Sequence, residues 1–325
     1  MNITLTLPAL NWDAPEQLPP LNTPALNHLL RFGHITRQTQ PTSALFAQSL
    51  WRGSLRDLAC ESVAMPSAQW QNTVLLSPVW QQMGMHNMNT LGGGDLAISE
   101  AEAQTWCSEL NDFYRADGVR FQMFRPDLWL LTLPQAVQWD VLPVFDVLGQ
   151  VDGTMRAEGA DAKSWLQWQT ELQMWLHAHA LNRVREHNRL PAVNGVWLWQ
   201  DLRGSRSPEM LLASDSVWAE PAAESLPYDF AALQRLLADK MSADGIQDIE
   251  LFDECLLTAR HTANAWAYQD TLHELEQRWF APIADALKTG AIKSFCLRCE
   301  SGELRVQAKT QWRFWKSKKT FQGEL

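Results

Sequence analysis

The sequence is poor in the residues that mark secreted and nucleic-acid-binding proteins. Its 325 residues include only five cysteines, and 27 Lys and Arg residues are outnumbered by 37 Asp and Glu residues. An odd, scattered set of cysteines is typical of reduced thiols rather than of a disulfide framework. The formal net charge of −10 disfavours non-specific binding to nucleic acid, which needs cationic side chains that displace counterions.

Long apolar runs are also missing. No stretch approaches the roughly 18–20 residues of a membrane span, and the first residues lack the basic and apolar regions of a signal peptide. We therefore expect a cytoplasmic protein with no membrane partner. Tryptophan is abundant, with 17 residues against three tyrosines. Because the tryptophans are spread from Trp12 to Trp315, core packing explains them better than one stacking surface.

Strand-like and helix-like segments alternate along the chain. Residues 3–10 and 73–80 resemble strands, residues 43–60 one helix, and residues 99–118 an amphipathic helix with Ser99 and Glu102 as a capping box. Residues 119–133 and 292–309 each predict a hairpin, and residues 193–199 a strand. This alternation predicts an α/β fold with a largely parallel sheet flanked by helices.

The longest predicted helix runs from about Ala162 to Arg189. Trp165, Trp168 and Trp175 recur on one face, which we expect to pack on the sheet, whereas Gln169 lies largely elsewhere. The glycine-rich residues 146–161 before this helix are the best candidate linker.

Two weaker patterns leave alternatives open. Cys296 and Cys299 form one CxxC motif without a second pair, so ordinary thiols are favoured over a metal site. The basic stretch 305–319, with interleaved aromatics, could hold phosphate or single-stranded nucleic acid. A solvated tail explains it more simply, so nucleic acid is not an expected partner.

Three segments together resemble a known family. Residues 23–33 resemble the TPxLxxLxxxG helix of the alkaline-phosphatase superfamily, particularly of cofactor-independent phosphoglycerate mutases. Residues 41–51 are similar to the segment that supplies the serine nucleophile in archaeal-type mutases, which implies Ser43. Residues 168–199 resemble bacterial phosphoglycerate-mutase-related proteins, also called regulators of pathogenicity factors. The matched residues there are Glu171, Gln173, Met174, His177, Asn182, Arg185, Glu186, Asn194, Trp197 and Trp199.

The resemblance implies an alkaline-phosphatase-like core with a smaller inserted α/β subdomain. The core would comprise residues 1–73 and 156–325, and the insertion residues 74–155. Any retained ligand pocket is expected around Glu171, Gln173, His177, Asn182, Arg185 and Asn194. Asn182 and Arg185 are neighbours on a helix, where Arg185 could clamp a carboxylate or phosphate. Equally, Glu171, Asn182 and Arg185 could satisfy buried backbone groups and each other.

The metal-binding residues of the resembling enzymes are missing. Their first Asp-Gly is replaced by Pro8-Ala9-Leu10, Ser43 is followed by Ala44, and their late Asp/His motif corresponds to residues 260–266, with only His261. A serine without metals would be poorly activated. We therefore expect a catalytically degenerate protein without a cofactor, which acts in regulation through a small-molecule or protein partner.

The alternative is an active metal-dependent phosphotransferase or phosphatase with Ser43 as nucleophile. It would use Mn²⁺, Mg²⁺ or Zn²⁺, since the carboxylate and imidazole ligands available suit these ions. The candidate ligands are Asp13, Asp253, His261, Asp270 and His273.

Overall fold

The computed structural model describes residues 1–84, 87–152, 157–244, 248–310 and 316–325. The strands are β1 (Asn2–Thr6), β2 (His34–Arg37), β3 (Arg52–Ser54), β4 (Thr73–Met83), β5 (Asn87–Gly92), β6 (Arg120–Arg125), β7 (Leu128–Thr132), β8 (Gly149–Asp152), β9 (Gly195–Trp199), β10 (Arg203–Ser205), β11 (Leu211–Ser214), β12 (Asp248–Phe252), β13 (Ser294–Cys299) and β14 (Gly302–Gln307).

The α-helices are α1 (Pro24–Phe32), α2 (Thr42–Ser49), α3 (Leu55–Ser62), α4 (Glu100–Phe113), α5 (Ala162–His177), α6 (Ala180–His187), α7 (Phe230–Asp244), α8 (Leu257–His261), α9 (Ala265–Leu275) and α10 (Ala281–Thr289). A π-helical turn, Glu276–Phe280, joins α9 to α10. None of the described helices combines the length and the apolarity that a membrane crossing requires.

The chain divides into two compact units. The first consists of Met1–Arg52 and Gly204–Leu325, and the second of Gly53–Arg203. The sequence predicted a narrower second unit, residues 74–155. The second unit is longer because β9 pairs with the central strand β4 and α5 packs on β9.

A mostly parallel sheet forms the centre of the first unit. Its strand order is β11-β12-β1-β13-β14-β2. The pairs β11–β12, β12–β1 and β1–β13 are parallel, whereas β13–β14 and β14–β2 are antiparallel. Apolar side chains such as Ile3 and Leu5 are buried with residues of α1, α9 and α10 in one core. The predicted class, α/β with a mostly parallel sheet flanked by helices, is confirmed.

The second unit contains an antiparallel sheet. Its strands follow the order β6-β7-β4-β5-β8, and β9 also pairs with β4. Helix α5 packs on β9, where the Trp165 indole donates a hydrogen bond to the Leu198 carbonyl at 2.8 Å. The sequence placed residues 193–199 in a strand correctly, although this strand belongs to the antiparallel sheet.

Two predicted helices are interrupted. The helix predicted over residues 43–60 becomes α2 and α3, separated by Gly53, whose φ of +81° is incompatible with a helix. The helix predicted over 162–189 ends at His177, and His179 then caps α6 by accepting a hydrogen bond from the Leu181 amide at 3.2 Å.

In the predicted linker, residues 149–152 form β8, and residues 153–156 lie outside the described residues.

The predicted tryptophan face is only partly correct. Trp165 is fully buried, whereas Trp168 and Trp175 are half-buried. Trp168 lies 5.4 Å from the Tyr114 ring and Trp175 lies 6.5 Å from the Phe113 ring, measured between centroids, so both contact the end of α4. Gln169, predicted to face elsewhere, is buried because it hydrogen-bonds the backbone of β9 at Val196 and Leu198.

Local signals were interpreted correctly. Ser99 and Glu102 form the predicted capping box of α4, with both reciprocal hydrogen bonds present. The two predicted hairpins are the antiparallel pairs β6–β7 and β13–β14. All five cysteines are free. The basic stretch is described only in part, because residues 311–315 lie outside the described residues.

Candidate functional site

The carboxyl ends of three parallel strands meet at one edge of the sheet in the first unit. Strand β12 is followed by Asp253, β1 by Leu7 to Asn11, and β13 by Glu300. Ligands of open α/β sheets bind at this edge, because loops from neighbouring strands converge there. The edge is therefore the candidate functional site of this unit.

Glu300 is the central acidic group of this edge. Its Oε1 accepts hydrogen bonds from the Ala9 amide at 2.8 Å and from the Thr42 hydroxyl at 3.2 Å. Ala9 has a φ of +64°, a left-handed conformation uncommon for a residue with a side chain. Burial raises the pKa of the Glu300 carboxyl above its usual value, while the hydrogen bonds from Ala9 and Thr42 oppose that rise.

Two buried carboxylate oxygens at the edge have no hydrogen-bond partner within the described part of the chain. They are Oε2 of Glu300 and Oδ2 of Asp253. Asp253 uses Oδ1 to accept a hydrogen bond from the Cys255 amide at 3.0 Å, and its Oδ2 lies 3.9 Å from the Arg278 guanidinium. Such atoms in a native protein are usually explained by a bound water, ion or ligand.

Glu250 has a structural role beneath this edge. It is 3% exposed, and its Oε1 accepts hydrogen bonds from Thr6 at 2.9 Å, Ser49 at 2.5 Å and Arg298 at 3.1 Å. Arg298 also donates to Glu303 at 2.9 Å. These three donors, one of them a guanidinium, connect the carboxylate of β12 to β1, β13 and α2.

Ser43, the candidate nucleophile, lies in the first turn of α2 and is 4% exposed. The hydroxyl of the neighbouring Thr42 donates a hydrogen bond to Glu300. A serine nucleophile needs access to substrate and a base or a metal that activates it. The position of Ser43 therefore provides little access for a phosphate ester.

The candidate metal ligands do not converge. Among the described residues, no group of three or more His, Cys, Asp and Glu side chains could hold a metal ion. Asp13 is paired with Arg260, and Asp270 lies exposed on α9. His261 is buried, and the half-buried His273 is on α9. These donors do not fit the pair of divalent metals that the sequence resemblance implies.

Three of the predicted ligand-binding residues in the second unit bind backbone instead. Asn182 donates to the carbonyls of Leu176 at 2.8 Å and Val193 at 2.9 Å, and accepts from the Val193 amide at 2.8 Å. Asn194 exchanges two hydrogen bonds with the backbone of Gln81, at 2.7 and 2.8 Å. These contacts use both amide N–H groups of Asn182. They agree with the alternative in which Asn182 satisfies buried backbone groups.

Arg185 is 1% exposed and is similarly committed. Its guanidinium donates to the Pro191 carbonyl at 2.8 Å, to Glu102 Oε1 at 2.9 Å and to the Leu96 carbonyl. Burial opposes ionisation of Glu102, but hydrogen bonds from Ser99, and then the contact with Arg185, lower its pKa below the usual value. The guanidinium of Arg185 thus links α6 to the start of α4.

The other three predicted residues lie apart from this group. Glu171 is half-buried and accepts a hydrogen bond from Gln167 at 2.9 Å, whereas Gln173 and His177 are exposed. The structure thus brings Asn182 and Arg185 to one backbone segment, residues 191–193, and does not gather all six residues around a pocket.

Sequence reasoning missed Glu300. The available signal was an acidic residue directly after a predicted strand, in the sequence Cys299-Glu300-Ser301. That signal identifies the edge only once β13 is known to be parallel to β1, which local sequence does not specify.

Comparisons with known proteins identify distant structural similarity only. No family model and no curated protein matches the chain. Among solved structures, the chain is similar to the cofactor-independent phosphoglycerate mutase from Thermoplasma acidophilum, with 13% identity, a TM-score of 0.38, and coverage of 94% of this chain and 88% of that one. It is also similar to the PH0037 protein from Pyrococcus horikoshii, with 10% identity, a TM-score of 0.44, and coverage of 95% and 88%.

Proposed function

We propose that this protein is a catalytically degenerate phosphoglycerate-mutase-like protein that acts through binding a small molecule or a protein, in a regulatory role. The observation that carries the proposal is the environment of Glu300. Its buried carboxylate accepts hydrogen bonds from the Ala9 amide and the Thr42 hydroxyl. This contact lies at the edge of the sheet where the enzymes that the sequence resembles would bind metal and substrate.

The residues that follow β1 support the loss of metal chemistry. Leu7, Ala9 and Leu10 are buried and apolar, so this loop contributes packing and one backbone donor instead of a carboxylate ligand. Divalent metals in two-metal enzymes need several oxygen or nitrogen ligands in fixed positions. The described side chains around Asp253 and His261 supply no such set.

The unpartnered oxygens of Glu300 and Asp253 support a retained binding role. Each is a buried acceptor without a protein donor among the described residues, and leaving such an atom unsatisfied costs about 1–3 kcal/mol. A ligand with N–H or O–H donors would satisfy such an atom. We also expect a reducing compartment such as the cytoplasm, which five free thiols favour.

The test is a phosphotransfer assay with added Mn²⁺, Mg²⁺ or Zn²⁺. The substrates are 2- and 3-phosphoglycerate and p-nitrophenyl phosphate, and the matched variants are Ser43→Ala and, as a control at an exposed serine, Ser62→Ala. We expect the wild-type protein to show no turnover above that of Ser43→Ala. Metal-dependent turnover that Ser43→Ala abolishes and Ser62→Ala preserves would overturn the proposal.

One observation favours the alternative, an active phosphotransferase. The hydroxyls of Thr42 and Ser43 lie in the first turn of α2, and the amino-terminal end of a helix favours an anion. The same assay distinguishes the two functions, since only the enzyme loses turnover when Ser43 is replaced.

A further inference from the structure

A groove on the second unit lies between α4 and the junction of α5 with α6. It encloses about 480 Å³, which lies within the range of small-molecule sites. Its polar wall is Glu109, with Thr105 nearby, and its aromatic wall is Trp175. The remaining wall consists of His179 and of small or apolar side chains, including Leu181 and Val184.

His179 has a fixed hydrogen-bonding role in this groove. Its Nδ1 accepts hydrogen bonds from the Trp106 indole at 3.0 Å and from the Leu181 amide at 3.2 Å. Both partners can only donate, so Nδ1 carries no proton and the ring proton must be on Nε2. Nε2 lies 3.0 Å from Glu109 Oε2, to which it therefore donates. The ring therefore accepts hydrogen bonds at Nδ1 and donates one from Nε2.

Glu109 consequently has no cationic partner among the described residues. Its side chain is 55% exposed, and its partner is this histidine. Arg115, which follows the end of α4, is paired with Asp112 at 2.6 Å. A carboxylate without a cationic partner among the described residues therefore lines the same groove as the Trp175 indole.

Two other rings lie close to the Trp175 ring. The Trp175 ring lies 4.7 Å from the His179 ring and 6.5 Å from the Phe113 ring, between centroids. Phe113 is 62% exposed and Val184 is 54% exposed. An indole face attracts organic cations, and an adjacent carboxylate strengthens that attraction.

We propose that this groove binds a small organic cation with an apolar body, an alkylammonium compound. The ammonium group lies between Glu109 and the Trp175 ring, and the alkyl chain lies along Leu181 and Val184. The site lies entirely within the second unit, so it stands independently of whether the sheet edge of the first unit has lost phosphotransfer.

The test is a saturation-transfer NMR titration of the full-length protein with hexylammonium chloride at constant ionic strength. Hexanol and hexanoate are the uncharged and anionic controls. We expect saturable binding of hexylammonium, weaker binding of hexanol and none of hexanoate. A lysine-containing tripeptide amide, tested in parallel, distinguishes a free amine from a protein side chain as the source of the cation. Tighter binding of the peptide than of hexylammonium would overturn the small-molecule assignment.

Two variants locate the binding. Glu109→Gln keeps an acceptor for His179 but removes the charge, and we expect it to weaken hexylammonium binding about fivefold to tenfold. Trp175→Leu should weaken it by a similar factor. Glu100→Gln makes the same substitution at an exposed position on α4 outside the groove and should leave binding unchanged.

Equal binding of hexanol and hexylammonium, or an unchanged affinity in Glu109→Gln, would overturn the proposal. Because Glu109→Gln preserves the contact with His179, the test does not depend on Trp175→Leu folding.

Discussion

Arg185 is the buried side chain that best separates a structural role from a ligand-binding one. Its guanidinium has three partners, the Pro191 carbonyl, the Leu96 carbonyl and Glu102. Removing it leaves a carboxylate and two carbonyls without their donor. We expect Arg185→Ala to lower the free energy of unfolding by about 3–5 kcal/mol, as measured by urea denaturation.

The matched control for this prediction is Arg183→Ala. Arg183 lies on the same helix and is exposed, so its removal should change stability by no more than about 0.5 kcal/mol. If Arg185→Ala were as stable as the control, Arg185 would not be holding α6 to α4, and the ligand-binding interpretation would be preferred.

The sequence identified Asn182 and Arg185 as important but left their role open. The i, i+3 spacing is visible in the sequence, and it correctly places both side chains on one side of a helix. Their partners are mainly backbone groups of Val193, Pro191 and Leu96. A carbonyl group has no residue-type signature, so one sequence cannot distinguish it from a ligand oxygen.

At the scale of the elements, the tryptophans of α5 differ in how much they should contribute to stability. Trp165 is 1% exposed and donates to the backbone of β9, whereas Trp168 is half-buried against Tyr114. We expect Trp165→Ala to cost about 3–5 kcal/mol and Trp168→Ala clearly less, measured as free energies of unfolding. Leu166→Ala, at a residue that is 52% exposed, is the control. Equal losses at Trp165 and Trp168 would favour the single tryptophan seam predicted from the sequence.

Elements with local causes were predicted well. The capping box at Ser99 and Glu102 lies within four residues, and the hairpin turn near Ser301 and Gly302 is equally local. The end of α5 was missed because its cause is distant. His179 leaves the helical path to accept a hydrogen bond from Trp106, which is 73 residues away in sequence. Periodicity continues through such a break, so the pattern alone predicts one helix.

At the scale of the whole molecule, the second unit should fold by itself. Residues 53–203 contain a complete six-stranded antiparallel sheet with its own buried core. We expect this fragment to give a dispersed NMR spectrum and a cooperative thermal transition. The fragment 74–155 lacks β9 and α5, so it should be unfolded or aggregated. A folded 74–155 fragment and an unfolded 53–203 fragment would contradict this division and favour the boundaries inferred from the sequence.

The sequence predicted a mostly parallel sheet but not which strands belong to it. Residues 193–199 have the same continuous apolar character as a buried parallel strand, yet β9 pairs antiparallel with β4. A run of apolar residues indicates that both faces of a strand are buried. It does not indicate whether the strand is parallel or antiparallel to its neighbours. The partner of each strand is therefore decided by long-range packing.

The parallel sheet joins the two ends of the chain, which has a consequence for synthesis on the ribosome. Strand β1 pairs with β12 and β13, and Asn2 meets Asp248 after a separation of 246 residues. At about 5–20 residues per second, β1 emerges roughly 12–50 s before its first partner. The segment 53–203 is completed within that interval, so it can fold co-translationally while β1 is exposed to chaperones. Nascent chains stalled before β12 should therefore contain a protease-resistant second unit and a protease-sensitive amino-terminal segment.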